Sequence, residues 1–273
     1  MGRLEGKRAV IVGAGQTPGA TIGNGRAMAL LFAREGAQVL CVDRDLVRAD
    51  ETVALIEGEG GRASSVGADI VDADDVAGIF TAALERMGGV DILVNNVGVA
   101  PGGATGDGPV HSATEAGFDA TLAVNLKGMW LTIKAAIPIM REAGGGSIVN
   151  ISSLASVAGD SMIAYMVSKA AVNRLTLATA SANAEHGVRC NAVLPGLMDT
   201  PMAISANAAI GGQADEAVRA ARNARVPLKG GMGTAWDTAH AALFLASDDA
   251  AYVTGALLPV DGGFTTRVGA VDR

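Results

Sequence analysis

Seven short runs of apolar and β-forming residues recur along the chain, each followed by a stretch with helical spacing. The runs lie at 7–13 (KRAVIVG), 38–43 (QVLCVD), 62–67 (RASSVG), 91–95 (DILVN), 146–152 (GSIVNIS), 188–193 (VRCNAV) and 256–260 (ALLPV). Most are apolar on both faces. A strand flanked by helices and apolar on both sides belongs in a parallel sheet covered above and below. Helical patterns fall at about 24–35, 46–58, 73–87, 112–142, 162–186 and 235–246. Ser112 with Glu115 and Thr234 with Asp237 have the spacing of capping boxes that open two of them. Repeated βα units of this length predict one α/β domain over residues 1–273, with a doubly wound, seven-stranded parallel sheet and helices on both faces.

Composition narrows the function. The chain carries a formal charge of −7 and has only 3% aromatic residues, and it shows no Lys/Arg run. Nucleic acid is therefore excluded as the expected partner, since it needs basic patches and stacking platforms. Cys41 and Cys190 sit in runs that read as buried strands, which suits free thiols in a reducing cytoplasm. No apolar run has the length of a membrane span, and the N-terminus enters a strand at once, without a signal-peptide layout. Gly2 suggests a lipid site, but Gly6 stands where that motif needs Ser or Thr. His111, His186 and His240 are scattered, so no metal set is expected, and His186-Gly187 reads as a helix end.

The first βα turn reads Gly13-Ala-Gly-Gln-Thr-Pro-Gly19-Ala-Thr-Ile-Gly23-Asn24-Gly25. Glycines between a first strand and a helix let the backbone approach a pyrophosphate, whose charge sits at the helix N-terminus. Together with the strand pattern this predicts a dinucleotide-binding Rossmann domain. Asp43 closes the second strand, about twenty residues beyond the glycine turn. A carboxylate there accepts hydrogen bonds from ribose hydroxyls and repels a 2′-phosphate. At about 4 Å and an effective dielectric near 20, each unit of phosphate charge costs roughly 4 kcal/mol. NAD is favoured over NADP on this ground, although the neighbouring Arg44 is able to pair with a 2′-phosphate.

The stretch from Ser153 to Lys169 holds the chemistry. Tyr165 and Lys169 are four residues apart, so a helix places both on one face. A phenol with a pKa of about 10 needs roughly 4 kcal/mol of phenolate stabilisation to titrate near 7. A single cation about 5 Å away supplies roughly 3 kcal/mol of it. The pair is expected to make Tyr165 an acid/base near neutral pH. Ser153 lies twelve residues before the tyrosine; Ser152, its rival, points to the opposite side if the strand continues.

With these residues in place, the chain resembles the short-chain dehydrogenase/reductase family over nearly its whole length. Asp69-Ile70 is similar to the family's adenine-binding pair, and Asn95-Asn96-Val97-Gly98 to its Asn-Asn-Ala-Gly signature, with Val for Ala. Asn125 matches its helix-bending asparagine and Ser153 its substrate-orienting serine. Pro195-Gly196 and Thr200-Pro201-Met202 resemble its nicotinamide-side segment. Gly19, Gly23 and Gly25 satisfy the family's glycine spacing literally, but the strand ends at Gly13. Gly13, Gly23 and Gly25 are the preferred equivalents, with about six extra residues (around 16–21) inserted near the pyrophosphate or adenosine ribose. Divergent enoyl reductases of the family also lengthen this turn, but they space Tyr and Lys more widely.

The resemblance implies an NAD-dependent oxidoreductase interconverting a secondary alcohol and a ketone. Tyr165 serves as acid/base, Lys169 lowers its pKa and holds the nicotinamide ribose, Ser153 bonds the reacting oxygen, and Asn125 keeps a relay water. The cofactor part spans about 1–150, and the catalytic and substrate part about 151–273, with a mobile lid over 201–233 hinged at Gly211-Gly212 and Gly230-Gly231. Arg219, Arg222 and Arg225 read as solvated helix charges, leaving no clamp for a bulky anion, while Val97, Ala100, Ser156 and Met202 are candidates for an apolar pocket. A homotetramer through the fifth and sixth helices is also implied. The alternatives are an NADP-dependent 3-oxoacyl-type carbonyl reductase and a non-catalytic dinucleotide sensor.

Overall fold

Strand β1 (Arg8–Val12) shows how the sheet is buried on both sides: Ala9 and Ile11 face one apolar core, while Val10 and Val12 face the other. This is the period-2 alternation of a strand, with apolar residues at both phases. The computed structural model describes residues 2–99, 106–159, 161–205, 208 and 211–266. After β1 come α1 (Asn24–Arg34), β2 (Gln38–Asp43), α2 (Leu46–Gly58), β3 (Arg62–Gly67), α3 (Ala73–Met87) and β4 (Ile92–Asn95). The chain continues through α4 (Glu115–Leu122), α5 (Met129–Glu142), β5 (Gly146–Ile151), α6 (Ile163–Asn183) and β6 (Val188–Pro195). The short strands β7 (Met198–Asp199) and β8 (Gly233–Thr234) pair with each other and flank α7 (Asp215–Asn223). Helix α8 (Ala235–Ala246) and strand β9 (Leu257–Val260) follow.

The main sheet has seven strands in the order β3-β2-β1-β4-β5-β6-β9, every pair parallel. The order reverses between β1 and β4, where such folds open a crevice at the carboxyl ends of their strands. Helices α1, α2 and α8 contribute Met28, Phe32, Ile56 and Leu243 to one core. Helices α3, α5 and α6 contribute Phe80, Met129, Ile133 and Val172 to the other. Each such side chain stabilises the fold by roughly 1.5–3 kcal/mol on burial. A buried polar chain pins the centre of the sheet. The Thr132 hydroxyl donates to Asn95 Oδ1 (2.7 Å), Asn95 Nδ2 to Asn150 Oδ1 (3.0 Å), and Asn150 Nδ2 to Thr176 Oγ1 (2.9 Å). Asn95 and Asn150 face each other in the β4–β5 register, so a slip would leave both amides unsatisfied.

The strand boundaries follow the sequence closely, and the helices differ in three places. The run expected as one helix over 112–142 is α4 and α5 joined by a π-helical segment, Ala123–Gly128, around Asn125. Thr114, not Ser112, caps α4, accepting the Gly117 N–H at 3.1 Å, while Ser112 bonds the Pro109 carbonyl. Helix α7 falls inside the 201–233 segment, outside the six helical patterns, and carries Arg219 and Arg222 as helix charges. The Thr234–Asp237 pair is a capping box, with the Asp237 carboxylate accepting the Thr234 N–H at 2.7 Å.

The turn between β1 and α1 is closed by backbone contact. Gly13 has φ +83°, and a Cβ on Gly25 would run into the Gly13 carbonyl and approach Asn96 Nδ2 at 2.7 Å. Asn96 Nδ2 donates to that same carbonyl at 3.0 Å. Gly25→Ala is therefore expected to destabilise the protein by about 1–3 kcal/mol through overpacking. Urea unfolding of the two chains measures the difference, and equal midpoints would refute the contact.

Candidate active site

A groove of about 660 Å³ runs over the carboxyl ends of the central strands. The glycine turn after β1, Asp43 at the end of β2, Asp69-Ile70 after β3 and Asn96-Val97-Gly98 after β4 line one part of it. Ser153 after β5, Tyr165 and Lys169 on α6, and Pro195, Gly196 and Thr200 after β6 line the rest. Gly13, Gly23, Asn24, Gly25 and Arg44 also border it. The sequence-predicted residues thus meet in one groove, except Asn125, which lies beneath it.

The N-terminal end of α1 opens into the groove without a side-chain cap, and its N-cap, Gly23, has open space where a Cβ would stand. Asn24 Oδ1 is buried there without a hydrogen-bond partner among the described residues. An uncapped helix N-terminus, an open glycine and an orphaned polar atom fit a phosphate-bearing group. Asp43 accepts the Gly15 N–H (Oδ2, 3.0 Å) and the Asp45 N–H (Oδ1, 3.0 Å), fixing its carboxylate at the groove rim. Asp69 Oδ1 accepts the Val71 N–H at 3.1 Å.

The inserted residues reach further than the diphosphate end. Gln16 braces the loop, its Oε1 accepting the Gly23 N–H (3.1 Å) and its Nε2 donating to the Thr21 carbonyl (3.3 Å). Gly19 packs so closely on Pro201 that a Cβ would meet Pro201 Cβ at 2.7 Å, and the Thr21 hydroxyl lies 3.5 Å from Asp199 Oδ1. The insertion joins the glycine turn to the root of the 201–233 segment.

At the other end, Lys169 is buried, and its Nζ donates to the Ile151 carbonyl at 2.9 Å. The ammonium lies 5.7 Å from the centre of the Tyr165 ring. Burial pushes its pKa from 10.5 down to about 8, so the group is still mostly charged at pH 7. Burial also pushes the Tyr165 phenol up, against the Ser153 hydroxyl, which favours the phenolate. This corrects the expectation drawn from spacing: desolvation outweighs the Ser153 hydrogen bond, so the groove alone does not bring the phenol towards 7.

Ser153 combines two roles, capping the turn Leu154–Ser156 by accepting the Ala155 N–H (3.1 Å) and standing beside Tyr165. Ser152 points away and donates to the Lys169 carbonyl at 3.1 Å. Asn125 is fully buried in the π-helical segment, where its Oδ1 accepts the Val99 N–H (2.8 Å) and its Nδ2 donates to the Val99 carbonyl and Ser168 Oγ (3.1 Å each).

Val97 and Met202 border the groove as expected. Ser156 does not; its hydroxyl donates to the Ser153 carbonyl at 2.6 Å and accepts from Asn173 at 2.8 Å. Ala100 lies outside the described residues. Two further corrections concern charge. Arg222 is half-buried at the groove wall, Arg225 borders the groove while staying exposed, and Arg219 pairs with Asp199 at 2.7 Å. A residue with no local signature also appears: Asp107, whose carboxylate accepts the Ala164 and Tyr165 N–H groups (3.0 Å each) and caps α6, because Met162 at the N-cap has no acceptor. Among the described residues no His/Cys/Asp/Glu cluster is suited to a metal, and no helix is long and apolar enough to cross a membrane.

The comparison with known proteins agrees with this architecture. The model of a family described as enoyl-(acyl carrier protein) reductase matches residues 19–265. A 7alpha-hydroxysteroid dehydrogenase of Clostridium sardiniense is 40% identical over 265 residues, covering 97% of this chain and 95% of that one. The crystal structure of a Burkholderia xenovorans protein assigned to the short-chain dehydrogenases/reductases superposes with a TM-score of 0.91 at 40% identity, over 98% of this chain and all (100%) of that one. Carveol dehydrogenase from Mycobacterium avium, solved in complex with NAD, gives a TM-score of 0.87 at 29% identity, over 98% and 100% of the two chains. This chain belongs to the short-chain dehydrogenase/reductase family. It is an oxidoreductase, and its groove occupies the crevice that this fold opens at the β1/β4 reversal.

Lys169 links this dehydrogenase/reductase groove to stability. With a native pKa near 8 against 10.5 unfolded, the unfolded chain binds more protons between these values, so stability rises with pH there. Lys169→Met removes the titration. The stability of the wild type relative to Lys169→Met is expected to improve between pH 7 and pH 10, measured by urea unfolding. A relative loss over that range would mean that the lysine pKa is raised, not lowered.

Proposed function

We propose that the protein interconverts a secondary alcohol and a ketone using a nicotinamide dinucleotide, with NAD preferred to NADP. The observation that carries this is the convergence of Tyr165, Ser153 and Lys169 on the groove that the glycine turn and Asp43 also border. Gly23, Asn24 and Gly25 would hold the diphosphate, Asp43 the adenosine ribose, Asp69 and Ile70 the adenine side, and Asn96, Val97, Gly98, Pro195, Gly196 and Thr200 the nicotinamide side. Asp43 supports NAD over NADP, since its carboxylate repels a 2′-phosphate, while Arg44 is exposed beside it. When bound, the oxidised dinucleotide supplies a cationic hydride acceptor.

The chain's own residues handle the proton. Tyr165 takes the proton of the alcohol oxygen and returns it in the reverse direction. Ser153 donates a hydrogen bond to the same oxygen and stabilises the phenolate. Lys169 contributes a cation that water does not screen, and Asn125 positions Val99 and Ser168 beneath the tyrosine. A 7alpha-hydroxysteroid dehydrogenase and a carveol dehydrogenase among the relatives support an alcohol at this site. The four-residue step from Tyr165 to Lys169 supports carbonyl rather than enoyl chemistry.

NADH appearance across cyclic, aromatic and aliphatic secondary alcohols tests the reading, with NADP⁺ in parallel. Turnover is expected with NAD⁺, falling by about 10²–10⁴-fold in Tyr165→Phe while NADH binding persists. Undiminished turnover in Tyr165→Phe would refute the assignment.

A further inference from the structure

The end of helix α7 and the turn after it deliver two guanidiniums to the groove wall, Arg222 from the helix and Arg225 from the turn. Both border the groove together with Pro201, Met202 and Phe264. Arg222 is half-buried, and its Nε is enclosed without a hydrogen-bond partner. Arg225 stacks on the Phe264 ring, 5.2 Å from its centre. Among the described residues neither is in an ion pair, because the nearby acids are engaged elsewhere: Arg219 takes Asp199 at 2.7 Å and Glu216 at 3.2 Å. Burial and the charge of Arg225 both disfavour the Arg222 cation, opposed only in part by Asp199.

A half-buried charge with an unfilled donor on a cavity wall is costly unless a ligand answers it, and a like charge beside it adds to that cost. A guanidinium fork matches an oxyanion in charge and geometry. The position also distinguishes this wall from the diphosphate end. The chain just after Arg225 is held to the turn that carries Phe264, with the Leu228 N–H donating to the Gly262 carbonyl at 3.0 Å and Gly262 close against Val226. That turn in turn packs on Gly196, where a Cβ would meet Asp261 Cα at 2.6 Å. The arginines therefore sit beside the segment after β6, whereas the helix N-terminus suited to a diphosphate belongs to α1.

We propose that Arg222 and Arg225 form an oxyanion site that holds a carboxylate, sulfonate or phosphate group on the alcohol or ketone, so the substrate is acidic. The proposal rests on the oxidoreductase reading for the identity of the occupant as substrate. Met202 and Phe264 form the apolar wall against which the carbon skeleton of such a substrate lies.

Binding to the NADH-loaded protein tests it without turnover, using butyrate, propane-1-sulfonate and the neutral butyramide as probes. Saturable binding of at least one anion is expected, with butyramide binding at least about tenfold more weakly, the loss associated with charge-assisted hydrogen bonds. Arg222→Gln/Arg225→Gln should weaken the anion by about tenfold or more, Arg222→Lys/Arg225→Lys should restore part of it, and Tyr165→Phe should leave it intact. NADH affinity should stay within about twofold throughout, which also reports that the variants fold. Arg225→Gln alone changes an exposed side chain and serves if the double variant is unstable; it should weaken the anion several-fold. The proposal is overturned if neither anion outbinds butyramide, or if the arginine variants bind the anions as the wild type does. It is also overturned if folded Arg225→Gln loses NADH affinity in step with anion affinity, because the occupant is then the cofactor diphosphate. Failure of the oxidoreductase reading looks different, since Tyr165→Phe would then keep full turnover, or no alcohol would turn over at all, whatever the anions do.

Discussion

A buried lysine ammonium in the wall of a groove, received by a backbone carbonyl, is the constraint on which the rest of this site depends. Lys169 bonds the Ile151 carbonyl at the end of β5, so its position ties α6 to the centre of the sheet. A buried cation without water needs such a fixed dipole, because desolvation otherwise drives off its proton. Three further bonds hold the same register: Ser152 donates to the Lys169 carbonyl, and Asp107 accepts the Ala164 and Tyr165 N–H groups in the first turn of α6. Tyr165 is thereby set against Ser153 by contacts that come from three separate parts of the chain. The polar chain through Asn95 and Asn150 fixes the strands beneath it, so the geometry does not rely on loops alone.

What local sequence dictates came through clearly. The strands are legible because their residues are apolar at both phases, and the glycine turn because a strand and a helix bracket it. Its preferred reading around Gly13, Gly23 and Gly25 has a physical counterpart in the Gly13–Gly25 contact, which leaves no room for a side chain. What long-range contact decides did not. Asp107 caps a helix 57 residues away in the chain, and no spacing rule connects the two. Arg222 and Arg225 read as a polar helix face, and only the return of that segment beside Phe264 turns them towards the groove. Ser112 has the spacing of a capping box with Glu115, but the fold caps α4 with Thr114, whose hydroxyl meets the Gly117 N–H.

The tyrosine illustrates how magnitudes decide. Spacing alone gives about 3 kcal/mol from the lysine charge, close to what a neutral phenol pKa requires. Burial acts in the opposite sense, and in the free groove it is the larger effect. The phenol is consequently poised high, and on the proposed reading the positive charge of a bound oxidised dinucleotide would lower it. The inserted loop places Gly19 and Thr21 against Pro201 and Asp199, so the cofactor end and the 201–233 segment share a wall.

The most direct test of this account is the ionisation of Tyr165 itself. The chain has two tyrosines, and the other, Tyr252, is fully exposed, so Tyr252→Phe leaves a single phenol to follow by ultraviolet difference absorbance. The account predicts that this phenol titrates above 10 in the free protein and at clearly lower pH with NAD⁺ bound. A phenol that titrates at the same high pH with and without NAD⁺ would contradict it.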